Sequence, residues 1–216
     1  MNLDNMISQL SREGAKKKFL SPWQVLGIWA GLFLTYGLGV FVFFPLRADI
    51  VSKVGDPYFL LHTLAILLVM VSASVSASYL ALPDANQKAW VRNLPLLPLG
   101  VLAVMLVKAF TTLMPTHLAD YLDPHAFACA KAVALFGLAP AAIMFYTIQK
   151  AAPLRRYWAG SMAGLSGSGM GYLLLLLVEP HDNPTHVLFW HFSPVLLSML
   201  IAMALGNWIL GRWERG

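Results

Sequence analysis

The chain has 216 residues, 58% of them hydrophobic and 12% charged, with a formal net charge of +5. Soluble domains run at roughly 45–50% apolar and about 25% charged, so this composition excludes a soluble fold, which would also have to build a polar shell. One membrane domain fits the length, and the single cysteine, Cys129, excludes an intramolecular disulfide.

Residues 1–21 read as a cytoplasmic, amphipathic and basic segment. Leu3, Met6, Ile7 and Leu10 fall at i, i+3, i+4 and i+7, which predicts a short helix with one apolar face. Such a helix either lies on lipid headgroups or docks a cytoplasmic partner. Lys16, Lys17 and Lys18 then mark the membrane surface. No apolar core of signal-peptide type occurs in this stretch, so it reads as retained.

Six apolar stretches follow, at about 23–46, 58–82, 94–115, 125–149, 156–178 and 187–211. Each is long enough to cross the roughly 30 Å of hydrocarbon, which takes about 20 residues of helix. Prolines punctuate the joins: Pro22 and Pro45 around the first span, Pro83 after the second, Pro115 and Pro124 around the third loop, Pro153 before the fifth span and Pro180 with Pro184 after it. The predicted fold is all-α, a bundle of six transmembrane helices over 22–212, with 213–216 as a short cytoplasmic tail.

Eleven basic residues share one side of this topology: Arg12, Lys16, Lys17, Lys18, Lys88, Arg92, Lys150, Arg155, Arg156, Arg212 and Arg215. Only Arg47 and Lys53 fall in loops on the other side, so the positive-inside rule places both termini in the cytoplasm. In that orientation His62, His117, His125, His181, His186 and His191 all lie at or near the outer face. Most of the acids join them, namely Asp49, Asp56, Asp120, Asp123, Glu179 and Asp182.

Imidazole, thiolate and carboxylate are ligands for zinc or copper. His125 and Cys129 at i and i+4 share a helix face, and the loop 179–186 offers Glu179, His181 and His186, with His191 beyond it. These six residues are the candidate sensor or metal cluster. Interfacial histidines with one wet edge are the plainer account of the same pattern. His186 and His191 sit five apart, roughly 140° around an α-helix, and so make no pair on a regular one.

Lys108 and Lys131 lie within spans, where each either snorkels to the surface or pairs inside the bundle. Gly160, Gly164, Gly167 and Gly171 stripe one face of the fifth span, a surface for close helix packing or a dimer seam. No Walker loop, dinucleotide loop, HExxH or G-x-S-x-G occurs, so nothing in the chain points to an enzyme.

Several short motifs resemble the NrsF family of six-span membrane anti-sigma factors. They are Ile7-Ser8-Gln9-Leu10, Leu46-Arg47-Ala48-Asp49-Ile50, Cys129, Ala152-Pro153, Ala159-Gly160 with Gly164, Trp190-His191, Gly206 and Arg212-Trp213. The resemblance implies a regulator in the bacterial inner membrane. It would bind an extracytoplasmic-function (ECF) sigma factor at its cytoplasmic face, contact lipid but no nucleic acid, and release the sigma factor on an envelope signal such as metal or redox stress. Leu3, Met6, Ile7 and Leu10 would contribute to that binding. One departure matters: the family commonly has Cys-Pro after the fifth span, and this chain has Glu179-Pro180, so a two-thiol switch within one chain is impossible. A small transporter, or a metal- or haem-binding membrane protein using the outer His/Cys/Glu cluster, is the alternative the residues leave open.

Overall fold

The computed structural model describes residues 21–82, 89–112, 124–150 and 153–210. Met1–Leu20, the proposed docking segment, lies outside the described residues, as do His117, Asp120 and Asp123. Of His125 only the backbone is described. Six helices are long and apolar enough to cross a membrane, and no strand occurs among the described residues. They are α1 (Pro22–Phe43), α2 (Pro57–Leu80), α3 (Leu96–Thr112), α4 (Pro124–Gln149), α5 (Arg156–Val178) and α6 (Pro184–Leu210). A one-turn helix, Ile50–Lys53, lies between α1 and α2, and a short helix, Ala89–Asn93, leads into α3.

The expected spans agree with these helices to within a few residues except at the third and sixth. At the third, the short helix Ala89–Asn93 extends the membrane-crossing stretch back to Ala89, ahead of the expected start at 94. The sixth begins at Pro184, where Asn183 accepts the Thr185 amide 2.9 Å away as an N-cap. The first two starts show the same chemistry. Ser21 and Gln24 form a reciprocal capping box with Pro22 at the first helical turn, and the Asp56 carboxylate accepts from the Tyr58 amide at 2.9 Å with Pro57 behind it.

The centre of the bundle is α5. It is the least apolar of the six, yet eighteen consecutive residues, Ala159 to Leu176, are buried. Lipid is as apolar as leucine, so no hydrophobic force selects the most apolar helix for the interior; close approach of backbones does. The glycine stripe supplies that approach and serves two partners. Gly160 and Gly164 meet Ala202 and Gly206 of α6, whereas Gly167 and Gly171 meet Val133, Gly137 and Ala141 of α4. This is packing inside one chain, the first of the two roles expected for it.

A third side of α5 packs on α2 through hydroxyls. Ser74 and Ser166 sit 2.7 Å apart across the interface, and Ser74 also donates to the Met70 carbonyl at 2.7 Å. Ser78 and Ser168 bond back to carbonyls four residues earlier in their own helices. These buried hydroxyls are thereby satisfied, and their small size keeps the helices close. The outer helices α1 and α3 complete the bundle, with α1 against α2 and α4 and α3 against α2. One end of the bundle carries Arg47, Asp182, His62, His181, His186 and His191; the other carries Arg92, Arg155 and Arg156.

Candidate functional site

The histidine end is built on a buried arginine. Arg47 follows α1, and its side chain is fully shielded from solvent. Nε donates to Asp49 at 2.6 Å, while Nη1 and Nη2 donate to the two oxygens of Asp182 at 2.8 Å each. Nη1 also reaches the Glu179 carbonyl at 3.2 Å, and the Arg47 amide donates to the Leu177 carbonyl at 3.0 Å. One residue thus takes up carbonyls at the C-terminal end of α5, where a cation also complements the helix dipole. Lys53 adds a second cation to Asp182 at 2.5 Å.

The charges respond accordingly. Hydrogen bonds to Asp49 and then Asp182 hold the Arg47 guanidinium well above its ordinary range, against a smaller opposing push from burial. Asp49 is held below the usual carboxylate range, first by its bonds to Arg47. Burial pulls Asp182 upward, but the bonds to Arg47 and Lys53 outweigh it and leave this carboxyl below its ordinary value.

Beneath this lid lies a buried polar pair. His62 of α2 and Tyr172 of α5 meet through Nε2 and the phenol oxygen at 2.6 Å. The Tyr172 ring is in edge contact with His191 of α6, centroids 5.6 Å apart. A cleft of about 30 Å³ between Lys53, Asp56, His62 and Asp182 leads to His62 from the histidine end.

The start of α6 is irregular, and that irregularity makes the site. Residues Val187–Phe192 form a π-helical turn, with the Ser193 amide bonding five residues back to the Leu188 carbonyl. Pro194 has no amide hydrogen, and its ring crowds the carbonyl of Trp190 four residues earlier, so a regular α ladder fails there. The Ser193 hydroxyl also takes the Leu188 carbonyl, at 3.0 Å. An i→i+5 turn brings residues five apart onto one face, which corrects the expectation that His186 and His191 do not pair. Their rings lie 5.0 Å apart between centroids, nearly perpendicular.

Cys129 of α4 completes the group. One ligand atom each from Cys129, His186 and His191 lie within 4.8 Å of one another. His191 is 1% exposed, and neither of its ring nitrogens has a hydrogen-bond partner among the described residues. Phe127 and Trp190 meet edge to face beside the group, centroids 6.3 Å apart.

A model of the family described as negative regulator of sigma F, NrsF, matches residues 10–213, nearly the whole chain. The chain belongs to the NrsF family. No curated protein and no solved structure matches it. Family membership makes it a negative regulator of a sigma factor, and a sigma factor is the partner that this description implies.

Of the six cluster residues read from this NrsF sequence, three converge: Cys129, His186 and His191. Glu179 and His181 pair with each other instead, at the exposed rim. The His181 ring lies 5.6 Å from that of His186, so it borders the group without belonging to it. The His125 side chain lies outside the described residues. Lys108 and Lys131 are exposed on the outside of the bundle, with the Lys131 ammonium 5.3 Å from the Phe127 ring centroid. Neither side chain therefore lines a path through the bundle. Tyr172 escaped the sequence reading because one tyrosine in an apolar run carries no pattern, and His62 read as interfacial although it is buried.

Proposed function

We propose that this protein holds an ECF-type sigma factor inactive at the cytoplasmic face of the bacterial inner membrane and releases it on an envelope signal, metal or redox stress. It does so without catalysing a reaction. The family match over residues 10–213 carries this reading. The positive-inside rule, applied to the eleven basic residues read on one side, supports cytoplasmic termini. The histidine end, with its thiol, then faces the periplasm as the sensing end.

The apolar face of Leu3, Met6, Ile7 and Leu10 is the proposed sigma contact. Burying one such side chain contributes roughly 1.5–3 kcal/mol, so disrupting two weakens binding by two orders of magnitude or more. Release by about a hundredfold needs roughly 2.7 kcal/mol of coupling between the two ends. The helices α4 and α6 are suited to carry it, since both rest on the glycine face of α5 and both reach the histidine end.

The test is a sigma-dependent reporter in cells carrying Ile7→Asp with Leu10→Asp, with membrane insertion checked by blotting. Derepression with normal insertion is the expected result. Full repression by a normally inserted double variant would refute this contact.

A further inference from the structure

We infer that Cys129, His186 and His191 form a site for a single thiophilic transition-metal ion, with Zn²⁺ as the reference ion, that ties α4 to α6 at the histidine end. This inference rests on the reading of that end as the sensing end, and it supplies the chemistry of the signal.

The donor set is the first argument. One thiolate and two imidazoles suit zinc or cuprous ion and discriminate against magnesium and calcium, which take oxygen ligands. Spacing is the second. Zn–N bonds of about 2.0–2.1 Å and a Zn–S bond of about 2.3 Å in a tetrahedron set the donors roughly 3.3–3.6 Å apart. Three donor atoms already within 4.8 Å of one another close onto an ion by side-chain rotation and shifts of about an ångström.

The third argument is His191 itself. Burying an imidazole with both nitrogens unpartnered is costly, because each nitrogen forfeits its hydrogen bond to water. A metal ion satisfies one of the two nitrogens and offsets that part of the cost. The fourth is the π-turn: a regular helix would set His186 and His191 on different faces, and here the helix departs from regularity where the two rings must meet.

Three protein ligands leave a fourth position for water or another ligand, and His181 stands beside His186 at the rim. Binding requires the thiolate, so the Cys129 proton leaves to solvent as the metal–sulfur bond forms. The ion then joins α4 to the start of α6. These helices also border an apolar groove of about 440 Å³, lined by Gly137, Ala141 and Phe145 of α4 and by Ser198, Ala202 and Leu205 of α6, with Gly164 of α5 between them. Drawing α4 and α6 together at one end shifts their packing along this groove toward the basic end.

The experiment uses the purified full chain in lipid nanodiscs, titrated with Co²⁺ as a spectroscopic stand-in for Zn²⁺. One equivalent of Co²⁺ should produce a thiolate-to-cobalt charge-transfer band and the intense visible bands of four-coordinate cobalt. Cys129→Ser should abolish the charge-transfer band. His191→Gln, close in size to the native residue, should weaken binding by more than about a hundredfold, beyond the 10–100-fold typical of groups outside the ligand shell. His181→Gln should leave the stoichiometry at one.

As a second measurement, one equivalent of Zn²⁺ should protect Cys129 from maleimide in the wild type and not in His191→Gln, with equal thermal melts showing that both are folded. Absence of a charge-transfer band at stoichiometric cobalt, or equal binding by wild type and His191→Gln, overturns the site. The outcomes separate the two readings. Normal cobalt binding with a fully repressing Ile7→Asp, Leu10→Asp variant overturns the proposed sigma contact and leaves the metal site standing; derepression by that variant with no cobalt bound does the reverse.

Discussion

Arg47 and Asp182, 135 residues apart, meet through two parallel hydrogen bonds of 2.8 Å each. Fork-to-carboxylate pairing of this kind fixes orientation as well as distance. It fastens the segment after α1 to the loop that leads into α6, directly above the π-turn. Because Asp49 holds the remaining edge of the guanidinium, the arginine is buried with its charge compensated twice.

The first prediction follows from that double compensation. Asp182→Asn alone leaves Arg47 paired with Asp49 and should be tolerated. Asp49→Asn with Asp182→Asn leaves a shielded guanidinium without a counter-charge and should destabilise the bundle more than either single change. Arg47→Met should be milder than this double change, since it removes the buried charge altogether. Thermal unfolding in detergent ranks the three; a double variant no worse than Asp182→Asn would show that the pairing contributes little.

Acid should have a matching effect. Both carboxyls titrate below their ordinary values in the folded chain. A carboxyl depressed in this way contributes stability that is complete above its unfolded value, about 4, and that is lost as pH falls through the lower folded value. The margin in melting temperature of wild type over Arg47→Met should therefore hold from pH 7 to about 4 and shrink at lower pH. A margin unchanged down to pH 3 contradicts the assignment.

Glycine positions should divide into two groups. A Cβ at Gly171 would run into the Val133 carbonyl, and one at Gly160 into the Ala202 carbonyl. Neither backbone can move without parting helices, so Gly171→Ala and Gly160→Ala should each cost about 3 kcal/mol, the upper end for overpacking. At Gly27 and Gly31 of α1 an added methyl would meet nothing within 4 Å, and alanine there should be neutral or stabilising by up to about 1 kcal/mol. Melting temperatures of the four single variants check the division.

Much of the fold is legible in the sequence because lipid imposes length and apolarity on each span, and charge records its direction. Span ends are less legible, since Asn183-Pro184 and Ala89–Asn93 add helix in stretches too polar to count as hydrocarbon. The identity of the central helix is hidden by apolarity and shown by small residues, which is why the Gly160–Gly171 stripe points to it. The site is legible in composition alone. Cys129, His186 and His191 stand out as ligand types, but their convergence depends on a π-turn whose one sequence signal is Ser193-Pro194. Arg47 shows the same limit: Leu46-Arg47-Ala48-Asp49 reads as a motif, whereas its partner Asp182 lies in another loop altogether.

The last prediction concerns the pair below the site. His62 and Tyr172 are both buried, and their 2.6 Å hydrogen bond is the polar link between α2 and α5 at this depth. Tyr172→Phe removes the phenol oxygen and leaves the imidazole nitrogen of His62 unsatisfied, which should cost about 1–3 kcal/mol. His62→Leu leaves the phenol unsatisfied in turn and should cost a similar amount. With both changes no polar atom is stranded, so the double variant should be more stable than the sum of the single losses predicts, with a coupling of about 0.5–3 kcal/mol. The ring of residue 172 still packs edge-on against His191 in Tyr172→Phe, so cobalt binding should survive that change although stability falls. Melting temperature and cobalt affinity measured on the same four proteins check both statements. Additive losses would remove the hydrogen bond from the account, and loss of cobalt binding with Tyr172→Phe would mean that the phenol, not the ring, positions His191.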